Sequence, residues 1–139
     1  MPNDPRRIAE DLRGQVAGDV LHDDLTRRLY ATDGSLYEIE PLVVLRPRVT
    51  EDVAATIRYA AAESIPVHAR GAGSGLAGGC VGPGIVIDFS RYMRRVLAVD
   101  DESARVQPGV VHAALNRRLA PARGESAIER RARRRRTTQ

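Results

Sequence analysis

The apolar positions of the first thirty residues recur at every fourth place: Ile8, Leu12 and Val16, then Leu21, Leu25 and Leu29. That spacing predicts two short one-sided helices, over residues 5–18 and 22–30. The turn formers of YATDGSLYEIEP, Tyr30 to Pro41, predict a connection in which Asp33 and Ser35 hydrogen-bond nearby backbone. LVVLRP, Leu42 to Pro47, is a continuous apolar run and reads as a buried strand. Thr50 is placed as the N-cap of a helix over 50–64. Glu51 and Asp52 stand in its first turn, and Val53, Ile57, Tyr59, Ala60 and Ala61 form the face leading to Ile65. Pro66 stops that helix and PVHAR, Pro66 to Arg70, is a second strand. The natural pairing in such a strand, helix, strand unit is parallel.

Seven of the fourteen residues from Gly71 to Gly84 are glycine. At roughly 1 kcal/mol each relative to Ala this excludes a stable helix, and the segment is predicted as loop. GIVIDFS, Gly84 to Ser90, resumes as strand. RRVLAVD, Arg94 to Asp100, and ARVQPG, Ala104 to Gly109, predict a hairpin turned at Asp101 to Ser103, and Val110 to Leu119 returns to helical spacing. From Ala122 the pattern fails, and residues 122–139 are expected to be disordered. The expected fold is α/β to α+β, with strands near 42–46, 66–70 and 85–88 in a small sheet covered by the 50–64 helix. No internal repeat is present.

The chain has 139 residues, 42% hydrophobic, with four Tyr, one Phe and no Trp, so aliphatic side chains must build its core. It lacks the roughly 18 to 20 consecutive apolar residues of a membrane span, and its N-terminus lacks a signal-peptide centre, which gives a cytoplasmic expectation. Cys80 is the only cysteine, so no intramolecular disulfide forms. The net charge of +4 divides unevenly: residues 122–139 hold seven Arg and two Glu, a local +5, and the other 121 residues sum to −1. All basic residues are Arg, a mark of GC-rich coding sequence more than of function.

A strand running into closely spaced glycines lets backbone approach a ligand without Cβ obstruction and turns successive N–H groups into a cradle for phosphate oxygens. Ser74 adds a hydroxyl, and Arg70 either offers its charge or anchors the loop. Gly73, Gly75 and Gly78 spell GxGxxG, but no helix opens inside the motif, as a nicotinamide-type site requires. A Walker loop is excluded, since the chain has no Lys. A glycine-rich turn without a ligand remains open on these residues alone.

PLVVLRPRVTEDVAATIRYAAAESIPVHARGAGSGLAGG resembles the first half of the FAD domain in the p-cresol methylhydroxylase and vanillyl-alcohol oxidase superfamily. YATDGSLYEIEPL, VIDFSRYMRRVLAVD and ARVQPGVVHAALNRRLAP are most similar to its glycolate oxidase and D-lactate dehydrogenase branch, so the resemblance runs from about Tyr30 to Pro121. It implies a loop over the FAD pyrophosphate at Arg70, Gly71, Ala72, Gly73, Ser74, Gly75, Leu76, Gly78 and Gly79. Gln107, Pro108, Gly109 and Val110 would lie near the flavin. Some relatives carry in this loop a His that attaches covalently to flavin. Ser74 stands at the matching position, so non-covalent FAD is implied. Ser or Thr is usual at Gly75, and a Gln-Ala pair is frequent at Gly79 and Cys80. The implied chemistry is oxidation of a lactate- or glycolate-like 2-hydroxy acid.

By that resemblance, residues 1–40 form N-terminal helices and a connection, 41–121 a partial FAD-binding domain and 122–139 a basic tail. Relatives continue past LAP into the rest of the FAD domain and a substrate domain, whereas ARGESAIERRARRRRTTQ departs from them. A truncated or frameshifted product, inactive alone, is the expectation. The competing expectation is a non-catalytic protein whose RRARRRR run, Arg130 to Arg136, binds nucleic acid nonspecifically. That run has no interleaved aromatics and no reading module, so no specific nucleic-acid partner is expected. His22, His68 and His112 have no metal-ligand spacing and read as structural, Cys80 as a small filler, and Asp88 as a cap for the turn at Phe89 to Tyr92.

Overall fold

The computed structural model describes residues 4–100 and 102–123, in two compact units, Met1–Met93 and Arg94–Gln139. The first unit opens with α1 (Pro5–Arg13). The Asp4 carboxylate accepts from the Arg6 N–H at 3.0 Å, and Pro5 occupies the first turn, where no N–H is needed. Ile8 and Leu12 are fully buried, as their spacing predicts, together with Ala9, whereas Val16 is only partly buried. The helix ends at Gly14 and not near 18. Beyond Gly14 the chain enters β1 (Asp19–Leu21), a strand that takes up Leu21 and was not expected.

In α2 (Asp24–Leu29), Asp23 caps the helix by accepting from the Thr26 N–H and hydroxyl at 2.9 and 2.7 Å. The expected packing face does not exist: the helix buries no residue, and Leu25 and Leu29 are 70% and 65% exposed. Six residues are too few to present a stripe to the core. Instead Arg27 holds the helix, donating to the Pro41 carbonyl at 2.8 Å and pairing with Glu40 at 2.7 Å.

β2 (Val43–Arg46), β3 (Val67–Arg70) and β4 (Ile85–Asp88) form one sheet with β1, in the order β1-β2-β4-β3. Both β2 and β3 run parallel to β4, and β1 is antiparallel on the β2 edge. The parallel unit over 42–70 is therefore present, but its two strands are not neighbours, because β4 enters between them. The apolar content explains the choice: every residue of β4 is buried, as are Val43, Val44 and Leu45, the pattern of strands covered on both faces. One continuous core joins Ile8 and Leu12 with Val43, Leu45, Ile85 and Ile87.

α3 (Thr50–Ala62) covers the sheet with a narrower face than the apolar count suggests. Ala55, Thr56 and Ala60 are buried, whereas Ile57 is 51% exposed and Ala61 is exposed. Small residues at the contact let the helix approach the sheet closely, and Val53 and Tyr59 pack at the margin. Thr50 is not the cap either. Val49 occupies that position, and the buried Asp52 carboxylate accepts from Arg48 N, Val49 N and Ala17 N at 2.8, 3.3 and 2.8 Å. An acid at the third helical position thus satisfies the helix start and ties it to Ala17, in the connection between α1 and β1. The helix closes as expected before Pro66, with Ser64 in the left-handed region at φ +56° and Ile65 N donating to Ala60 O at 2.8 Å.

In the second unit, β5 (Val96–Val99) and β6 (Ala104–Val106) form the expected antiparallel hairpin. Asp100 accepts from the N–H groups of Glu102 and Ser103 at 2.9 and 2.7 Å. α4 (His112–Arg123) begins two residues after Val110, where helical spacing was expected to resume, and runs two residues into the segment expected to be a tail. The remainder of that expectation, residues 124–139, lies outside the described residues. Among the described residues no helix is long and apolar enough to cross a membrane.

Candidate functional site

The three parallel strands end on one side of the sheet, and the segment from Gly71 to Gly84 leaves β3 there and returns into β4. It contains only turns and bends, so the GxGxxG spelling opens no helix and the Rossmann arrangement is absent. Gly73 and Gly78 have φ +68° and +71°, conformations that favour glycine. Among the described residues, none of the nine N–H groups from Gly71 to Gly79 donates to another protein group. Ala72, Ser74, Gly75 and Leu76 line the outside of the loop, with Leu76 82% exposed. A Cβ added at Gly71, Gly75 or Gly79 would meet nothing within 4 Å. The loop is thus an exposed run of N–H groups without a protein acceptor among the described residues, with open space beside three of its glycines, a setting that suits a diphosphate.

Arg70 both anchors the loop and keeps its charge there. Its Nη1 donates to the Thr32 carbonyl at 2.9 Å, and its guanidinium carbon lies 5.1 Å from the Tyr30 ring centroid. A Cβ on Gly73 would stand 2.6 Å from Nη2, so the guanidinium passes directly beneath the loop. Arg70 makes no direct ion pair among the described residues, although its charge also reaches the Asp33 carboxylate. Its positive charge is held by neutral carbonyls and an aromatic face and remains available to an anion.

The loop rests on residues 30–37, a brace that sequence reasoning missed. Gly34 N donates to Gly73 O at 2.9 Å, and a Cβ on Gly34 would come within 3.0 Å of the Ser74 and Gly75 carbonyls. Tyr37 packs against Gly78, where an added Cβ would lie 2.5 Å from its ring. The expected local bonds are present: Ser35 N to Asp33 at 2.8 Å and Tyr37 N to the Ser35 hydroxyl at 3.2 Å. Asp33 also accepts from the Cys80 thiol at 3.2 Å. The Ser35 hydrogen bonds hold the Asp33 carboxyl below its usual range, while burial and then the Asp33 contact push the Cys80 thiol up. Cys80 is accordingly a filler that closes the loop and not a stabilised thiolate.

Asp88 caps the following turn as expected, accepting from Ser90 N at 2.8 Å, but it also receives the Tyr30 hydroxyl at 2.5 Å. Arg46 donates to that same hydroxyl at 3.0 Å. His68 is structural, its Nε2 lying 2.9 Å from the Pro83 carbonyl. The second unit holds the other expected site residues. Gln107, Pro108, Gly109 and Val110 form the turn between β6 and α4, where Val110 N donates to Gln107 O at 3.1 Å and the Gln107 side chain accepts from Arg95 N at 2.8 Å. Val110 borders a cavity of about 450 Å³ whose rim carries Arg94, Arg95 and Arg118.

Comparison with known proteins identifies the family of the chain. The chain is 38% identical over 109 residues to D-2-hydroxyglutarate dehydrogenase of Escherichia coli K12, covering 75% of this chain and 11% of the relative. It is 36% identical over 116 residues to glycolate oxidase subunit GlcD of the same organism, covering 79% and 23%. Among solved structures, 6-hydroxy-D-nicotine oxidase from Arthrobacter nicotinovorans superposes with a TM-score of 0.64 at 28% identity, over 76% of this chain and 24% of that one. Alkyldihydroxyacetonephosphate synthase superposes at 0.69 with 22% identity, over 84% and 25%, a likeness of fold. The chain therefore spans between a tenth and a quarter of the length of these relatives. Residues 41–134 match the FAD binding domain family, and by this match and these relatives the chain belongs to the FAD binding domain of FAD-linked oxidoreductases.

Proposed function

We propose that the loop from Arg70 to Gly79 holds the diphosphate of non-covalently bound FAD, in the service of an oxidoreductase acting on a small 2-hydroxy acid. The observation that carries the reading is the run of nine N–H groups, Gly71 to Gly79, that no protein acceptor among the described residues occupies, standing over an Arg70 that makes no direct ion pair among them. Gly71, Ala72, Gly73, Ser74, Gly75, Leu76, Gly78 and Gly79 supply backbone donors, Ser74 adds its hydroxyl, and Arg70 supplies charge from below. Pro108, Gly109 and Val110 are assigned to the flavin end.

The donor set suits a diphosphate and not a covalent flavin link, since the loop offers no His and Cys80 is engaged with Asp33. The chemistry the cofactor supplies is acceptance of a hydride from the carbon bearing the hydroxyl group. What the chain's own residues do is bind and orient. The substrate class rests on the names of two relatives, D-2-hydroxyglutarate dehydrogenase and glycolate oxidase subunit GlcD, each named for a 2-hydroxy acid.

The test is a fluorescence titration of the purified chain with FAD, beside Gly73→Asp, which places bulk and negative charge in the loop. Saturable binding lost in Gly73→Asp supports the reading. A folded chain, by circular dichroism, that does not bind FAD refutes it.

A further inference from the structure

The ends of the three parallel strands meet at one residue that belongs to none of them. Tyr30 follows α2, and its hydroxyl donates to Asp88, the last residue of β4, at 2.5 Å. The same oxygen accepts from Nε and Nη2 of Arg46, the last residue of β2, at 3.2 and 3.0 Å. The ring face carries the guanidinium of Arg70, the last residue of β3, 5.1 Å from the centroid. The Tyr30 backbone carbonyl lies 3.5 Å from Arg70 Nη1, beside the shorter bond to Thr32.

A phenol hydroxyl has one proton to give and lone pairs to receive, and here both are used, by groups on two different strands. The ring is thereby pinned, and it becomes a fixed platform for the third strand's arginine. Burial, and after it the Asp88 hydrogen bond, push the Tyr30 phenol up, so the donor stays protonated through the neutral range. An arginine side chain left in solvent samples many rotamers, whereas stacking on a pinned ring while donating to carbonyls selects one. The selected one places Nη2 where only a glycine at 73 leaves room.

Resting on the FAD reading of the loop, we propose that Tyr30 is a positioning residue for the cofactor diphosphate, acting through Arg70, whose charge it holds beneath Gly73. Arg46 and Asp88 serve this role indirectly, by fixing the phenol.

The test is a thermodynamic cycle on the full chain, with FAD affinity read by fluorescence titration and folding by circular dichroism melts. Tyr30→Leu and Arg70→Met are each expected to weaken FAD binding about tenfold, the scale of a charged hydrogen bond or cation-ring contact. The double variant is expected to bind no more weakly than Arg70→Met alone, because Tyr30 has nothing left to position. Tyr30→Phe keeps the ring face but loses the bonds to Asp88 and Arg46 that pin it, so it is expected to bind FAD about threefold more weakly than the wild type, between the wild type and Tyr30→Leu. Wild-type affinity would overturn the part given to Arg46 and Asp88. Should Tyr30→Leu fail to fold, Arg70→Lys decides. Its charge is retained without the planar stacking group, so about fivefold weaker binding is expected and unchanged binding overturns the proposal. Losses that multiply in the double variant overturn the role of Tyr30 while leaving the loop reading intact. A wild-type chain that does not bind FAD removes both.

Discussion

Replacing Gly73 with Ala perturbs the loop at the point where backbone and brace meet. Gly73 has φ +68°, and an L-residue in that region costs about 1 kcal/mol more than glycine. The new methyl would lie 2.6 Å from Arg70 Nη2. That atom is the end of a flexible side chain, so it moves aside, at the loss of the 2.9 Å bond to Thr32 O and the stack on Tyr30. Together those contacts are worth about 1–2 kcal/mol. The sum is about 2–3 kcal/mol, which for a unit spanning Met1–Met93 lowers the melting temperature by about 10–20 °C. FAD affinity is expected to fall about tenfold as the charge leaves the loop. The assays are a circular dichroism melt and an FAD titration. In an Arg70→Met background the same change is expected to cost only the backbone part, about 1 kcal/mol. A Gly73→Ala chain that melts and binds like the wild type would place neither strain nor Arg70 at that position, and the loop geometry drawn above would be wrong.

Gly75→Ser meets nothing within 4 Å and is expected to leave the melting temperature unchanged while tightening FAD binding about fivefold, through a hydroxyl worth about 1 kcal/mol; unchanged or weaker binding would show that the hydroxyl makes no hydrogen bond to the diphosphate. Gly84→Ala, at φ +96° and with its Cβ driven into the Pro66 carbonyl, is expected to prevent folding of the sheet, read as loss of the cooperative melt. Cys80 is expected to react slowly with iodoacetamide at about pH 8 and faster only as pH rises above the usual thiol range, with Asp33→Ala shifting that profile towards lower pH. The Asp19 carboxyl, held low by the Tyr92 hydroxyl and by Arg48 against an opposing push from burial, contributes stability that is present above the usual carboxylate range and lost as pH falls through its depressed value. Acid unfolding of Asp19→Asn is expected to lack that component. Removal of residues 124–139 is expected to leave FAD affinity unchanged and to abolish any retention on a polyanionic resin.

The elements legible in the sequence were those whose burial is one-sided or complete: the face of α1, the apolar runs of β2 and β4, and the stop at Pro66. β1 was not, because DVL is too short to show a period and pairs only as an edge. Nor does an apolar run reveal its neighbours, so the placement of β4 between β2 and β3 could not be read from order along the chain. Leu25 and Leu29 misled because spacing alone does not say whether anything lies opposite. At the site, glycine density marked the loop, but its brace could not be seen. Tyr30 to Asp88 and Arg70 to Thr32 join residues 58 and 38 positions apart, and no local pattern encodes such contacts. The turn formers around Gly34 were visible, but their packing against the Ser74 and Gly75 carbonyls was not.

Everything proposed for this chain depends on the N–H groups from Gly71 to Gly79 receiving the FAD diphosphate. Amide proton-nitrogen NMR of the labelled full chain, recorded as FAD is added, reads those groups one by one. Saturable shifts concentrated on Gly71 to Gly79 are expected, with the Arg70 side-chain signal moving in step. Saturable shifts confined to other residues, or a folded spectrum that FAD leaves unchanged, would show that the loop does not hold the cofactor.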